Sequence, residues 1–260
     1  MTMNAPVPPG DLVIVVPCFN EATVIARSVA RLREWFPTAS VLVIDDGSAD
    51  DTASLATAAA ERDPGVRVNR LPANGGKGHA VASAVALVAG RAVVIVDADL
   101  AYGEESIRRA VDALERADIV IGNRRHRDST YTVPVQLFGF LYRRHALGLV
   151  FNLVVRTVLG LHERDTQCGL KAFRGPAFTD VMTRLRTRGF AFDLDVLLRA
   201  RALGCRIEEI PVDVRIDSGR SSVRLARDGA TALTEVAALA LHRLRGRYRP
   251  EVDRDTTRDY

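Results

Sequence analysis

Four short polar clusters along the chain have residue types that could bind a phosphate, its counter-ion or a nucleotide. They occupy positions 17–21, 45–48, 74–78 and 97–99 and read Pro-Cys-Phe-Asn-Glu, Asp-Asp-Gly-Ser, Asn-Gly-Gly-Lys-Gly and Asp-Ala-Asp. Each cluster by itself is also typical of a turn that caps a helix. They form one site only if the fold brings them to the same place.

Asp97 and Asp99 have the residue type and spacing of a divalent-cation site. Two carboxylates that flank the small Ala98 repel each other unless they share a cation or one of them is protonated. Hard oxygen ligands favour Mg²⁺ or Mn²⁺, and these ions usually bridge to substrate phosphates. We therefore expect Mg²⁺ or Mn²⁺ at this pair. The alternative is a polar strand end with one carboxylate that caps a helix.

Lys77 lies in a glycine-rich turn that could hold an anion. The glycines let backbone N–H groups approach a phosphate at the start of a helix, and Lys77 adds a positive charge. The turn has neither the Ser or Thr of a Walker A motif nor the dinucleotide fingerprint, which disfavours a P-loop NTPase and a dehydrogenase. Lys77 and Lys171 are the only lysines among 36 basic residues. Unless that is chance, both mark places that need a compact ammonium group.

Apolar runs and helical spacings predict the elements that must position these residues. Short runs typical of strands buried on both faces alternate with helical patterns of about 10–15 residues. The runs lie at 12–17, 41–44, 66–71, 92–96 and 118–121. This alternation predicts a doubly wound parallel sheet covered by helices. All four polar clusters then lie at the carboxyl edge of the sheet, where ligands bind, and capping alone hardly accounts for four of them.

The second half of the chain has a different pattern and a different charge. Its predicted elements are two amphipathic helices within 134–161, an extended segment at 165–173, helices at 193–203 and 225–244, and an edge strand at 206–214 that Pro211 interrupts. Residues 1–119 have a net charge of −5 and residues 120–260 of +9. A basic half suggests an anionic partner, either nucleic acid, a phosphate or an acidic membrane surface, unless the arginines only decorate exposed helices.

Composition excludes several classes of protein. Hydrophobic residues are 47% and charged residues 26% of the 260, as in ordinary globular proteins, which rules out disorder throughout, collagen and a coiled coil. Three widely spaced cysteines form neither a disulfide scaffold nor a zinc site, and suit a reducing compartment. No signal peptide or membrane span is expected. We also expect no nucleic-acid partner, because an aromatic-rich basic platform is missing.

The motifs together resemble those of family 2 glycosyltransferases with the GT-A fold. Besides the four clusters, the resemblance rests on positions 121–124 (Ile-Gly-Asn-Arg), 165–173 (Asp-Thr-Gln-Cys-Gly-Leu-Lys-Ala-Phe), 192–198 and 209–212. The nonapeptide at 165–173 is similar to the signature of dolichyl-phosphate glucosyltransferases and of bacterial polyprenyl-phosphate glucosyl- and mannosyltransferases. The resemblance covers roughly residues 11–245.

The resemblance implies an α/β fold, a domain organisation and a set of site residues. The fold would be a Rossmann-like, mostly parallel sheet flanked by helices, with C-terminal acceptor-side and interfacial helices. A single domain at 11–245 would comprise a nucleotide-sugar half (11–123) and an acceptor half (124–245), between tails at 1–10 and 246–260. The donor site would comprise Pro17, Asn20 and Glu21 lining the nucleotide pocket, Asp45 and Asp46 holding base and ribose, Lys77 near the nucleotide, and Asp97 and Asp99 binding the metal.

Two further residues would act on phosphate groups, and a few positions depart from the family pattern. By the resemblance, Arg124 and Lys171 would face the acceptor phosphate or the donor diphosphate. The family usually has Arg at the position of Ala82, and Thr or His is commoner at the position of Tyr102. The processive signature Gln-x-x-Arg-Trp does not occur, which disfavours a polysaccharide synthase.

The resemblance implies an inverting, metal-dependent transfer of a hexose to a polyprenyl or dolichyl phosphate. UDP-glucose is the first candidate donor and GDP-mannose the second. The lipid phosphate is already anionic, so the reaction needs positioning and leaving-group stabilisation more than a strong base. The alternatives are a soluble small-molecule or protein acceptor on the same fold, or a catalytically silent nucleotide-sugar binding module.

The stretch 137–161 has the composition of a membrane-interface segment. It combines many apolar residues with Arg143, Arg144 and Arg156, a pattern typical of helices that lie in the lipid boundary. We therefore expect a cytoplasmic protein that binds peripherally to the anionic cytoplasmic face of the membrane. The alternative is that these helices pack on each other or form a homodimer interface.

Overall fold

Strands and helices alternate through the first half of the chain, as the apolar runs predicted. The computed structural model describes residues 5–8, 10–134, 138–187, 189, 191–215 and 225–248. The strands are β1 (Leu12–Cys18), β2 (Ser40–Asp45), β3 (Val66–Arg70), β4 (Ala92–Ile95), β5 (Ile119–Asn123), β6 (Thr130–Thr132), β7 (Lys171–Phe173), β8 (Ile207–Pro211) and β9 (Asp213–Arg215). The helices are α1 (Ile25–Trp35), α2 (Thr52–Arg62), α3 (Lys77–Ser83), α4 (Val85–Val88), α5 (Glu104–Ala113), α6 (Phe138–Leu159), α7 (Gly175–Met182), α8 (Phe192–Ala202) and α9 (Leu225–Leu244).

The main sheet is mostly parallel, which confirms the predicted fold class. Within the described residues, seven strands pair in the order β3-β2-β1-β4-β7-β5-β8. Strand β7 is antiparallel to both of its neighbours, β4 and β5, while the other pairings are parallel. Strand β8 lies at the edge, as predicted, where Pro211 can end the pairing.

Both faces of the sheet are buried, which explains the continuous apolar runs. Along β1, Ile14 and Val16 join the core beneath α1, α2 and α5, and Val13 and Val15 join the core on the opposite face with α3, α7 and α8. Side chains of successive strand residues point to opposite faces, so a strand covered on both sides must be apolar throughout. Burial of each such side chain contributes about 1.5–3 kcal/mol relative to exposure.

Two helix predictions differ from the structure. Between β3 and β4 the chain forms two short helices, α3 and α4, instead of one helix of the predicted 10–15 residues, and Ala89 then adopts a left-handed φ of 53°. The two amphipathic helices predicted within 134–161 are wrong, because α6 is one continuous helix of 22 residues. No proline interrupts this stretch and Gly148 stays helical, so nothing in the sequence ends the first helix.

Helix α6 packs against α9 and presents apolar side chains to solvent. On α6, Val155 and Leu159 are buried, whereas Leu149, Leu153, Val154 and Val158 are exposed. On α9, Leu233, Leu241 and Leu244 are exposed. The predicted membrane-interface stretch 137–161 begins with residues 137–147, whose side chains lie outside what the structure describes. None of the described helices is long and apolar enough to cross a bilayer.

The segment after α9 is attached to α8. The Tyr248 hydroxyl donates to Asp195 Oδ1 at 2.6 Å, and the Arg199 guanidinium lies 4.3 Å from the centre of the Tyr248 ring. The buried Asp195 carboxylate also accepts the backbone N–H groups of Arg186 and Thr187. The beginning of the segment predicted as a C-terminal tail is therefore held against the domain.

Candidate active site

The loops that follow β1 and β2 are joined by hydrogen bonds, so the first two polar clusters lie side by side. The Asn20 N–H donates to Ser48 Oγ at 2.9 Å, and Asn20 Oδ1 accepts the Ala49 N–H at 2.9 Å. Asn20 adopts a left-handed φ of 57°, which asparagine tolerates better than most residues. Its side chain thus holds the neighbouring loop, and its predicted contact with a nucleotide stays a prediction, as does that of half-buried Pro17.

The anion held by the glycine-rich turn is a side chain of the protein itself. Asp46 Oδ1 accepts the Gly75 N–H at 2.9 Å and Oδ2 accepts the Gly76 N–H at 2.8 Å. Gly47 brings the turn close, because its φ is 70° and a Cβ there would lie 2.7 Å from the backbone carbon of Ala73. These two N–H groups are therefore satisfied by Asp46 and are not offered to a phosphate in this arrangement.

Asp45 is buried beneath the same loop. Its Oδ1 accepts the Ser48 N–H at 3.2 Å, and its Oδ2 lies 3.3 Å from Arg70 Nε. The Asp45 side chain has no exposed surface, so it supports the loop from inside. Base and ribose contacts by Asp45 and Asp46 stay predictions, and both carboxylates hold the loops that surround the expected pocket.

Lys77 and Asp97 meet across the site as the sequence clusters suggested. Lys77 Nζ lies 2.6 Å from Asp97 Oδ1, and roughly a third of each side chain is exposed. Burial by the surrounding protein would raise the pKa of Asp97, but the Lys77 ammonium outweighs it and lowers that pKa below its ordinary value. Asp97 is therefore ionised at neutral pH and already bound to one cation.

Asp99 and Glu21 carry negative charge that this lysine does not compensate. The surrounding protein, and then the charge of Asp97, raise the pKa of Asp99 above its ordinary value. The pKa of Glu21 is also raised, mainly by burial and then by the charges of Asp99 and Asp97. Among the described residues, Lys77 is the one cation in ion-pair contact with any of these three carboxylates. In the part of the chain that the structure describes, no group of three or more His, Cys, Asp or Glu side chains is placed to hold a metal ion, so the expected Mg²⁺ or Mn²⁺ would be held by Asp97 and Asp99, whose repulsion it would relieve.

Arg124 is held by a bidentate ion pair with Asp165. Arg124 Nε donates to Asp165 Oδ2 at 2.7 Å and Nη2 donates to Oδ1 at 2.8 Å. Burial would raise the pKa of Asp165, but Arg124 outweighs it and lowers that pKa. The Arg124 side chain is 34% exposed, so it can meet a ligand only on the side that Asp165 leaves open. Its role toward a phosphate stays a prediction.

Lys171 lies beneath the site rather than on its surface. Its side chain is 2% exposed, and Nζ is 2.6 Å from Asp193 Oδ1 at the start of α8. Nζ also donates to the Cys168 carbonyl. The sequence did not indicate that Lys171 and Asp193 are partners. A direct contact of Lys171 with phosphate stays a prediction that requires this pair to open.

The cysteines near the site are protonated thiols. Burial, and then the charge of Asp165, raise the pKa of Cys168 to about 11, and burial followed by Asp45 raises that of Cys18 to about 12. A thiol is a poor nucleophile until it ionises, so neither cysteine supports covalent catalysis at neutral pH. Both side chains are buried in the core, which suits a structural role.

The fold and the site together define a class of enzyme. A mostly parallel sheet with one inserted antiparallel strand carries an Asp-x-Asp pair and a lysine at its carboxyl edge. This is the GT-A arrangement of glycosyltransferases. The sequence model of the family described as "Glycosyl transferase family 2" matches residues 13–167, and the chain belongs to this family of enzymes.

Named relatives cover most of the chain. It is 30% identical over 203 residues to an undecaprenyl-phosphate mannosyltransferase of Micrococcus luteus, an alignment that covers 76% of this chain and 81% of the relative. It is 29% identical over 239 residues to a dolichyl-phosphate beta-glucosyltransferase of Dictyostelium discoideum, covering 84% and 72%.

Solved structures share the fold. A complex of glucosyl-3-phosphoglycerate synthase from Mycobacterium tuberculosis with Mn²⁺, UDP and glucosyl-3-phosphoglycerate matches with a TM-score of 0.62 at 21% identity, covering 89% of this chain and 79% of the other. A Pyrobaculum calidifontis mannosyltransferase in complex with GDP-mannose and Mn²⁺ matches with a TM-score of 0.58 at 22% identity, covering 92% and 67%. At this identity, both establish the fold.

Proposed function

We propose that this enzyme transfers a hexose from a nucleotide-sugar to a polyprenyl phosphate, with inversion at the anomeric carbon and with a divalent metal. The observation that carries the proposal is the carboxylate group at the end of β4, where Asp97 and Asp99 lie together with only Lys77 as a contacting cation among the described residues. The names of the two relatives support the lipid-phosphate acceptor. UDP-glucose is the first candidate donor and GDP-mannose the second.

Asp97 and Asp99 would hold the metal together with oxygens of the donor diphosphate. Mg²⁺ and Mn²⁺ are usually bound through one or two carboxylates and substrate phosphates, which suits a pair of aspartates. When bound, the ion supplies Lewis-acid stabilisation of the diphosphate leaving group. Lys77 would add a second positive charge there by turning its ammonium from Asp97 toward the diphosphate.

The acceptor side requires positioning rather than proton removal. A lipid phosphate oxygen is ionised at neutral pH and can attack the anomeric carbon directly. The new bond to the phosphate oxygen forms as the bond to the nucleoside diphosphate breaks, and the electron pair leaves with the diphosphate. One such displacement inverts the anomeric centre. The exposed part of Arg124 would orient the incoming phosphate.

A donor and acceptor screen tests the proposed function. Radiolabelled UDP-glucose and GDP-mannose would each be offered with a short polyprenyl phosphate and Mn²⁺, with EDTA as the metal-free arm. Extraction of label into the organic phase, dependent on metal, with a β-linked product by NMR from an α-linked donor, would support it. Label that appears only in water-soluble products would replace the lipid acceptor by a soluble one. Donor binding without transfer to any acceptor would leave a silent binding module.

We also propose that the enzyme reaches its acceptor by binding peripherally to the membrane through α6. Leu149, Leu153, Val154 and Val158 are exposed, and Leu153 has 63% of its surface accessible. Exposed aliphatic side chains next to arginines are typical of helices that lie in the lipid boundary.

Sedimentation with anionic liposomes tests this contact. Wild type should sediment at low salt and less at high salt, and the paired change Leu153→Ser with Val158→Ser should weaken binding. Leu55→Ser on α2 is a matched control, since Leu55 is also exposed but lies on another part of the surface. Wild-type protein that stays in the supernatant at low salt would refute the peripheral contact. The proposed transferase activity would still stand if this protein transfers the sugar in detergent.

A further inference from the structure

The backbone of Gly169 lies against Oδ2, the second carboxylate oxygen of Asp97. A Cβ on Gly169 would lie 1.9 Å from Asp97 Oδ2 and 2.8 Å from its Cγ. Gly169 does not adopt a left-handed φ, so the reason for glycine here is space rather than backbone conformation. Asp97 thus pairs with Lys77 through Oδ1, and its Oδ2 lies against the Gly169 backbone.

The Gly169 backbone is itself held by a tyrosine from the turn after Asp99. The Gly169 N–H donates to the Tyr102 hydroxyl at 3.2 Å, and Tyr102 is buried. On its other side, the backbone of Tyr102 pairs with Val214 of β9. Tyr102 therefore connects the segment that contains Asp97 and Asp99 to the segment that leads into β7.

We propose that Tyr102 is a positioning residue for the metal site. By holding the Gly169 N–H, its hydroxyl keeps the glycine backbone against Asp97 and so limits the directions in which the Asp97 carboxylate can point. The inference rests on the proposed function, because it takes Asp97 as a metal-binding group. Tyr102 acts through Gly169 and does not touch the substrate.

The hydroxyl distinguishes this role from simple packing. If Tyr102 only filled the core, phenylalanine would serve as well, because the two rings have nearly the same volume. A buried hydrogen bond lost to a phenylalanine costs roughly 0.5–1.5 kcal/mol, which corresponds to about a 2- to 12-fold change in an equilibrium constant. Tyr102→Phe should therefore weaken Mn²⁺ binding in the presence of UDP by about fivefold.

Two variants and two controls make the test. Tyr102→Phe removes the hydroxyl, and Gly169→Ala places a methyl group where Asp97 Oδ2 now lies. Tyr248→Phe removes a tyrosine hydroxyl bonded to Asp195, and Gly148→Ala adds a methyl group where nothing lies within 4 Å. Mn²⁺ affinity is measured by electron paramagnetic resonance in the presence of UDP. Hydrogen exchange is followed in peptides that span 166–172.

The expected result is weaker Mn²⁺ binding and faster exchange near Gly169 in Tyr102→Phe, a larger loss of affinity in Gly169→Ala, and wild-type Mn²⁺ affinity in both controls. If Gly169→Ala does not fold, Tyr102→Phe still decides the question. Wild-type affinity and exchange in Tyr102→Phe would overturn the inference while leaving the proposed function intact. A lower melting temperature with unchanged Mn²⁺ affinity would overturn it as well. Wild-type protein that binds Mn²⁺ neither with UDP nor with GDP would overturn the inference and the metal-dependent function together.

Discussion

Lys77 and Lys171 each place Nζ 2.6 Å from an aspartate oxygen, but the surroundings of the two pairs differ. Lys77 and Asp97 have 32% and 39% of their side chains exposed, whereas Lys171 and Asp193 have 2% and 13%. In the exposed pair, either partner can exchange the other for water or a ligand at small cost. In the buried pair, a charge left without its partner is strongly destabilising. Identical contacts thus suit a ligand site in one region and structural support in the other.

The largest expected effect is on stability, at the buried pair. Lys171→Met should lower the free energy of unfolding by about 3–5 kcal/mol, because it leaves the Asp193 carboxylate without a partner. The double variant Lys171→Met with Asp193→Leu should recover much of the loss, since an apolar pair of similar volume needs no compensation. Urea denaturation measures both. A single variant as stable as wild type would contradict the structural role of the pair.

The next effect is on catalysis, at the exposed pair. Asp97→Asn should lower the rate of transfer by about 10²–10³-fold, or roughly 2.7–4 kcal/mol in activation free energy, because the leaving group loses support from the metal. Its unfolding free energy should change by less than about 1 kcal/mol. Radiolabel transfer and thermal unfolding are measured on the same preparation, with Asp99→Asn alongside. Full activity of both variants with a chelator present would refute the metal site.

The Arg124–Asp165 pair should contribute less to the free energy of unfolding than the buried pair and more than the exposed pair. Its contribution should also depend on pH. The folded-state pKa of Asp165 is lowered, so its stabilisation is present above the unfolded pKa, about 3.9, and is lost as pH falls through the folded value. Asp165→Asn should therefore cost about 2 kcal/mol at pH 7, and the cost should shrink as pH falls through the folded-state pKa of Asp165. Urea denaturation between pH 7 and pH 2 measures the stability of Asp165→Asn. Asp128→Asn is the control, because the Asp128 side chain is 60% exposed. If the free energy of unfolding of wild type and of Asp165→Asn changes with pH in parallel, the stabilising role of the Asp165 carboxylate is contradicted.

The smallest expected effect concerns the shape of the cation. Lys77→Arg should weaken donor binding by about tenfold, or 1.4 kcal/mol, because the glycine turn leaves little room for a planar guanidinium. Its stability should stay near that of wild type. Lys171→Arg should instead cost about 1–3 kcal/mol of stability through overpacking of a buried site. Calorimetric titration with the nucleotide-sugar and thermal unfolding separate the two. Wild-type behaviour of both would show that the rarity of lysine in this chain has no functional meaning.

Sequence patterns predicted the first half of the fold well because its strands are buried on both faces. A strand such as β1 must be apolar at every position, and the polar residues that follow it stand out against that run. The convergence of Lys77 and Asp97 at one sheet edge followed from the parallel topology alone. Strand β7 was foreseen only as an extended segment, since three residues within a motif carry too little pattern to indicate antiparallel pairing.

The partners of the polar side chains could not be predicted in the same way. A glycine turn that binds a phosphate and one that binds an aspartate have the same residue types. The contact of Asp46 with Gly75 and Gly76 therefore could not be inferred from the sequence and is seen only in the structure. The burial of Lys171 was equally hidden, because lysine is normally exposed and its partner Asp193 is 22 residues away. Tyr102 stood out in the sequence only as a departure from the family pattern.

The position of β7 also bears on how the chain folds as it leaves the ribosome. Strands β1 to β4 can pair with one another once Ile95 has been made, because apart from the β4–β7 pairing all of their partners lie within residues 12–95. Strand β5 has no such neighbour, since its two partners, β7 and β8, begin at Lys171 and Ile207. An apolar strand with both edges open is a template for association with other chains. The nascent protein must therefore shield β5 for nearly fifty residues of synthesis, until the Lys171–Phe173 strand arrives and joins the two halves of the sheet.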